Sequence, residues 1–412
     1  MPKKEILIIG GGIIGLCSAW YLHKAGHQIT IIDKSETGNN CSTGNAGLIR
    51  PTHMIPLAKP GVISHALQDI PNPKGFFHLK PSARWSYIKF LLEFKRAASH
   101  KNYTKPAEAL KSLLLLSKSL YLEILNELDI NFFEKGLVVI GNQKNKSSLL
   151  KSSDLIASNG LGVQELDSKN TSKLTHLKLN PHHFGIHYTD DFHLDPENLI
   201  LKMRSRLLNL GVKIIDHETL IDFRTNDKHI EEILTDKARY NCEELILSAG
   251  FQSSILLKKL GINLLMEPGK GYSLSWEDEQ IQTDVPVILS GAHLAISKTP
   301  GKLRITGCME VGDFSFKLNN RRIETIYNQA RTFVPELDYL PLDKARLWCG
   351  HRPLSFDGLP YIGRSSHFHN LTIATGHSMS GMSMGAGTGY LLEQLISGQS
   401  HEMNIELFNP NR

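Results

Sequence analysis

The chain has 412 residues, of which 41% are hydrophobic and 21% charged, and it carries a net charge of +5. That length is too great for one simple core and predicts two domains, or one domain with a large insertion. Lysines and arginines are scattered rather than massed, which argues for a solvated surface and against a nucleic-acid partner.

Cys17, Cys41, Cys242, Cys308 and Cys349 form no CxxC pair and lack metal-ligand spacing, so neither a metal nor a redox disulfide is expected. No apolar run reaches the ~18 residues of a membrane span. The start Met1-Pro2-Lys3-Lys4 leads directly into a strand and leaves no room for a signal peptide. The expected location is cytoplasmic, with peripheral contact at the inner face of a membrane left open.

Residues 5–9 read as a buried strand, Gly10, Gly12 and Gly15 as a tight turn, and residues 16–22 as a helix stopping near Gly26. A second strand over 28–32 ends on Asp33. This is the dinucleotide fingerprint in context. Gly10 permits the turn, Gly12 lets backbone approach a pyrophosphate, and Gly15 lets helix and strand pack closely. The helix N-terminus favours the diphosphate, and Asp33 suits a ribose hydroxyl. The pattern does not separate FAD from NAD.

Residues 34–47 form a loop of small polar residues and glycines, in which residues 43–47 offer backbone to a flat ring. Residues 51–82, with Pro51, Pro56, Pro60, Pro71 and Pro73, read as an extended connection. Helical spacing follows over 85–94 and 107–128. The Leu113–Leu116 run and the basic residues near Lys95 fit a membrane-surface helix, but a buried helix is the commoner cause.

Strands are expected at 137–140, 184–188, 212–215, 219–223 and 230–234, with a helix from Glu197 to Leu208 entered through Pro196. The strand 244–250 passes through a small-residue turn into another helix and returns the chain to the nucleotide sheet. A β-rich stretch spans 267–307, and a helix covers 319–333.

Residues 348–363 are dense in turn formers, and Arg352 is fixed between His351 and Pro353. A strand over 370–375 leads into a glycine-rich loop, 376–389, and a helix over 390–397. This second strand–loop–helix unit offers a positive helix end to the charge that a reduced flavin carries, which favours FAD over NAD.

Gly10, Gly12, Gly15 and Asp33 begin an ordered series: Asn45-Ala46-Gly47, the strand ending at Gly250, Arg304 with Glu310, Gly350-His351-Arg352-Pro353, and Asp357-Gly358-Leu359-Pro360. Ending in Gly376, His377 and Gly381, the series resembles the D-amino acid oxidase superfamily of FAD oxidoreductases. Within it, Ala19-Trp20-Tyr21-Leu22 and Asn45-Ala46-Gly47 resemble the bacterial D-amino acid dehydrogenases.

The resemblance implies an α/β fold, α+β overall. A Rossmann-type FAD-binding domain would be assembled from 1–75, 191–265 and 345–412, with a mixed sheet and helical substrate domain from 76–190 and 266–344. Cofactor contacts are expected at Gly10, Gly12, Ile13, Ile14, Gly15, Asp33, Lys34, Ser42, Asn45, Ala46, Gly47, Leu48, Leu220, Ala249, Gly250, Gly376, His377, Gly381, Met382 and Ser383.

The resemblance also makes Arg352 the anchor of a substrate carboxylate, against the alternative of a brace for the turn before Asp357. Tyr272 is a candidate for the substrate face of the flavin, with packing equally open. His53 either reaches substrate or sits in a loop, the second being favoured. Cys349 is one position away from the cysteine that tethers flavin in sarcosine-oxidising relatives, so noncovalent FAD is expected.

The implied reaction is oxidation of the Cα–N bond of a D-amino acid, or of a cyclic imino acid of the D-proline or hydroxyproline kind. The acceptor would be oxygen or a membrane quinone. A glycine or sarcosine oxidase that passes electrons to oxygen is the competing enzyme. A flavin-bearing binding or RNA-modification protein is the competing class.

Overall fold

The computed structural model describes residues 3–35, 40–62, 75–98, 104–278, 281, 283, 285–401 and 403–412. Residues 36–39 of the polar loop, and Pro71 and Pro73 of the expected connection, lie outside the described residues.

The opening strand Glu5–Ile9 is apolar beyond its first residue and is buried on both faces, as a central parallel strand requires. It sits inside a six-stranded sheet ordered Lys213–Ile215, Gln28–Ile32, Glu5–Ile9, Glu244–Leu247, Leu371–Thr375 and Tyr361–Arg364. The first five are parallel to their neighbours, and Tyr361–Arg364 adds an antiparallel edge. The strands at 5–9, 28–32 and 244–247 place their C-terminal ends beside one another, the side on which such sheets bind ligands.

A nine-stranded mixed sheet forms the second layer system. Its order is Arg346–Ser355, Met266–Glu277, Lys302–Val311, Leu294–Thr299, Val287–Leu289, Leu137–Asn142, His183–Tyr188 and Val163–Leu166, with Phe77–Leu79 paired in parallel to Lys302–Val311 beside this path. Helix Asn320–Arg331 covers one face through Ile323, Ile326 and Ala330. Two three-stranded sheets complete the fold. One is Leu220–Asn226, His229–Thr235 and Arg239–Asn241, and the other is Leu48–Ile49, Phe192–Leu194 and Phe132–Phe133.

Helix Thr104–Glu127 buries Leu113 and Leu114 in the main core, so the leucine run belongs to packing.

Two expectations change. Residues 348–355 of the stretch expected to be rich in turns lie in a strand of the nine-stranded sheet, Arg346–Ser355. Pro353 is tolerated because this strand is the sheet edge and its backbone there turns outward, the Pro353 carbonyl accepting from Ser378 N–H.

The helix expected at 390–397 begins at Gly381 and runs to Ile396, converting most of the expected glycine loop into helix. Its glycines serve close packing. A Cβ at Gly389 would lie 2.4 Å from the Cys17 carbonyl oxygen, and one at Gly385 would lie 2.5 Å from the Tyr121 hydroxyl. Helices Ile13–Lys24 and Gly381–Ile396 therefore cross with backbone almost touching. Gly389→Ala should destabilise the fold by about 1–3 kcal/mol through overpacking. Urea unfolding measures this, and an unchanged midpoint would contradict the close crossing.

Candidate active site

The glycine turn is shaped by contact. Gly10 has φ +109°, which few side chains tolerate, and a Cβ on Gly15 would lie 1.9 Å from the Gly10 carbonyl oxygen. Gly12 begins helix Ile13–Lys24, and no side chain of its own caps the helix. The Ile13 N–H donates to Ser42 Oγ at 3.0 Å. The N–H groups of Ile14 and Gly15 meet no acceptor among the described residues, as first-turn donors await a ligand. The Asp33 carboxylate accepts from Gly11 N–H at 2.5 Å and Ser35 N–H at 2.7 Å.

Ala249 and Gly250 follow strand Glu244–Leu247. Gly250 has φ +59°, and a Cβ there would meet nothing within 4 Å. Donors without acceptors, a carboxylate at the strand end and open backbone opposite fit the diphosphate and ribose of FAD. Leu220 is buried in the apolar cluster with Ile9, Ile32 and Leu245, so its side chain serves the core. Lys34 is exposed, its ammonium 5.2 Å from the Phe316 ring.

Residues 40–47 bridge this turn to the nine-stranded sheet. Beyond the Ser42 contact, Arg304 Nη1 donates to the carbonyl oxygens of Thr43 at 2.7 Å and Asn45 at 2.6 Å. Gly44 lies against the Trp348 ring, where a Cβ would come within 2.4 Å. Asn45 Oδ1 accepts from Gly47 N–H at 2.9 Å, and Gly47 has φ +75°. Ala46 lies between these two fixed positions. Cys41 Sγ donates to the His351 carbonyl oxygen at 3.3 Å. Arg304, Trp348 and Cys41 had no assigned contact in the sequence; Arg304 stood only in the family-like series, and the one signal for Trp348 is strand alternation.

That alternation divides the sheet. Gly269 pairs with Arg352, Gly271 with Gly350 and Ser273 with Trp348, so these residues share one face. Arg352 lies over Gly271, where a Cβ would sit 2.1 Å from Nη1. Its Nη1 donates to the Cys308 carbonyl oxygen at 2.9 Å. No carboxylate pairs with Arg352 among the described residues. Burial lowers its pKa, yet a guanidinium stays protonated.

Tyr272 pairs with Cys349 on the opposite face. It is 1% exposed within the cluster of Leu274, Trp276 and Ile323. Its hydroxyl donates to Glu310 Oε2 at 2.5 Å, and Glu310 Oε1 accepts from Arg322 Nε at 3.2 Å. Burial first, then the Glu310 contact, push the phenol well up, so it stays neutral. Tyr272 therefore does not line the Arg352 face. Strand parity turns it into the core.

The start of helix Gly381–Ile396 joins the site to the stretch after Gly47. His53 Nδ1 lies 2.6 Å from Ser380 Oγ. Ser383 Oγ accepts from Arg50 N–H and donates to the Leu48 carbonyl oxygen, each at 3.0 Å. Arg50 pairs with buried Asp191 at 3.1 Å, and Thr52 Oγ1 also donates to it at 2.7 Å. The Ser378 N–H donates to the Pro353 carbonyl oxygen at 3.0 Å. This places His53 and Arg352 on elements tied to the same 377–380 turn. Burial, then Arg50 and Lys59, lower the His53 pKa to about 3, so it is neutral.

Gly376 has φ +76° and packs on Tyr361. His377 is 2% exposed and turned into the protein, with Nε2 3.0 Å from Thr388 Oγ1, and Met382 joins the main core. The His377 and Met382 side chains are thus packed inside, and at these positions it is the backbone at the start of Gly381–Ile396 that can meet a cofactor.

The model of the FAD dependent oxidoreductase family matches residues 5–395, and the chain belongs to that family. The chain is 27% identical over 408 residues to a D-amino acid dehydrogenase of Helicobacter pylori, covering 98% of each. It is also 27% identical over 415 residues to one of Vibrio vulnificus, covering 98% of this chain and 99% of the relative. Among solved structures, glycine oxidase from Geobacillus kaustophilus shares the fold with TM-score 0.78 and 19% identity, covering 100% of this chain and 99% of that one. L-proline dehydrogenase from P. horikoshii does so with TM-score 0.76 and 16% identity, over 100% and 98%. The chain is thus an FAD-dependent oxidoreductase with a Rossmann-type cofactor fold. Among the described residues, no helix is long and apolar enough to cross a membrane.

Burial lowers the His377 pKa from 6.5 to about 3. Between those values the unfolded chain binds the extra proton, so stability is full above 6.5 and falls as pH drops. At about pH 5 the loss from this residue is on the order of 2 kcal/mol. His377→Asn should flatten the fall of the urea midpoint between about pH 6.5 and 5. An unchanged slope would contradict a neutral, buried imidazole.

Proposed function

We propose that the chain oxidises the Cα–N bond of a D-amino acid, or of a cyclic imino acid of the D-proline or hydroxyproline kind, to the imine. One observation carries this reading: Arg352 is a part-buried guanidinium with a single carbonyl contact and no carboxylate partner among the described residues. A substrate carboxylate completes it through a two-pronged contact that lysine cannot reproduce. The full-length similarity to D-amino acid dehydrogenases supports the substrate class.

FAD, when bound, supplies the redox chemistry by accepting the hydride that leaves Cα. The chain's residues bind and orient. Gly10–Gly15 and Asp33 hold the dinucleotide end, residues 40–47 carry the link to the large sheet, and Arg352 fixes the carboxylate. His53 is neutral and adds no second cation to compete for that carboxylate. No obligate general base is needed if the amine enters neutral, and orientation carries the rate. Water then hydrolyses an open-chain imine to the oxo acid, whereas a cyclic imine persists.

In this division, 76–190 and 266–344 contribute the substrate domain, and residues 346–355 bring Arg352 into its sheet. The FAD is noncovalent. Cys349 Sγ donates to the Phe316 carbonyl oxygen at 3.2 Å on the face away from Arg352. Acid precipitation should release all the flavin to the supernatant, and colour retained in the pellet would refute this.

The substrate test is anaerobic bleaching of the flavin by D-amino acids, glycine, sarcosine, and D-proline with its hydroxy derivatives. Arg352→Ala should raise the half-bleaching concentration about 100-fold, given ~2–5 kcal/mol for truncating a buried charged contact, with FAD retained. Unchanged half-bleaching would remove Arg352 from the site. Bleaching confined to glycine and sarcosine, with peroxide formed in air, would establish the oxidase reading instead.

A further inference from the structure

We propose that helix Trp85–Ala97, with the loop 314–318 beside it, docks this protein onto the surface of an anionic lipid bilayer. Of the thirteen large apolar side chains exposed among the described residues, six lie in these two segments: Trp85, Ile88, Leu92, Phe314, Phe316 and Leu318. Trp85 is 72% exposed and Leu92 57%. Isolated surface apolar residues need no explanation, but a cluster of them does.

The spacing 85, 88, 92 places three on one helical stripe, while Tyr87, Phe90 and Phe94 are buried on the other side. Lys89 and Arg96 flank the stripe on one edge and Lys95 on the other, all exposed. Neither Lys89 nor Lys95 pairs with a carboxylate among the described residues. An apolar stripe between basic edges matches a headgroup layer that is negative outside and apolar beneath.

The two segments adjoin. The Arg84 guanidinium lies 4.4 Å from the Phe314 ring, and Tyr87 packs on Gly312. Beneath the helix, Leu91 and Phe94 line an apolar cavity of about 190 Å³ with Leu57, Phe77, Val311 and Leu354. Leu354 shares a strand face with Arg352. Docking would thus bring the membrane interface close to the redox site, and it does not depend on which amino acid is oxidised.

The purified holoenzyme is floated with vesicles of phosphatidylcholine alone, or of phosphatidylcholine mixed with phosphatidylglycerol. Binding to the mixed vesicles alone, weakened by salt, is expected. The double variant Trp85→Ser, Leu92→Ser should bind at least about tenfold more weakly, as should Lys89→Glu, Lys95→Glu, with anaerobic bleaching unchanged. No flotation of the wild type, or flotation unaffected by both variants, would overturn the proposal. A dimer in light scattering that Leu92→Glu converts to monomer would assign the stripe to a second copy, and would also overturn it.

Discussion

The fold depends on how closely helix Ile13–Lys24 can be approached from two sides. On one side, the absence of a Cβ at Gly15 lets the helix start against the Gly10 carbonyl. On the other, Gly385 and Gly389 let helix Gly381–Ile396 lie against Cys17. One clamp presents free N–H groups toward the dinucleotide site. The other brings the start of the C-terminal helix, with Ser380 and Ser383, to His53 and Arg50. The beginning and end of the chain thus build one site because small residues meet at a single buried helix.

From that clamp the site extends to the nine-stranded sheet through short polar contacts. Ser42, Arg304 and Trp348 hold residues 40–47 between the nucleotide turn and the sheet face that bears Arg352. Glycines on this face let side chains lie flat on the strands: Leu354 covers Gly269, Arg352 covers Gly271 and Trp348 covers Gly350. Lys270 shows the opposite face. It is 1% exposed, its ammonium bonded to Asp313, Ser315 and the Lys317 carbonyl, and it packs with Tyr272 as structure.

Much of this was legible in the sequence. The glycine turn and Asp33 were readable because a pyrophosphate-binding turn admits few alternatives. The parallel strands were readable as apolar runs. Strand parity was harder. Tyr272 and Arg352 both lie near the site in sequence pattern, but which face each takes depends on the register between Met266–Glu277 and Arg346–Ser355. Composition misled at the C-terminus. Glycine at 381, 385, 387 and 389 suggested a loop, whereas a helix packed against other backbone uses the same residues. The direction of the His377 side chain was hidden for the same reason, since its partner Thr388 lies inside the unexpected helical turns. The helices Lys146–Ser158 and Ser168–Thr175 were not anticipated, because serine and lysine give weak periodicity and few of their residues are buried.

The central claim is that Arg352 recognises a carboxylate beside the flavin. The direct measurement is the visible spectrum of the oxidised holoenzyme titrated with a flat, unreactive acid, pyrrole-2-carboxylate, and with its amide. The account predicts that the acid perturbs the flavin spectrum and slows bleaching competitively, that the amide does neither, and that Arg352→Ala abolishes the response to the acid. Equal responses to acid and amide, or a response retained in Arg352→Ala, would contradict it.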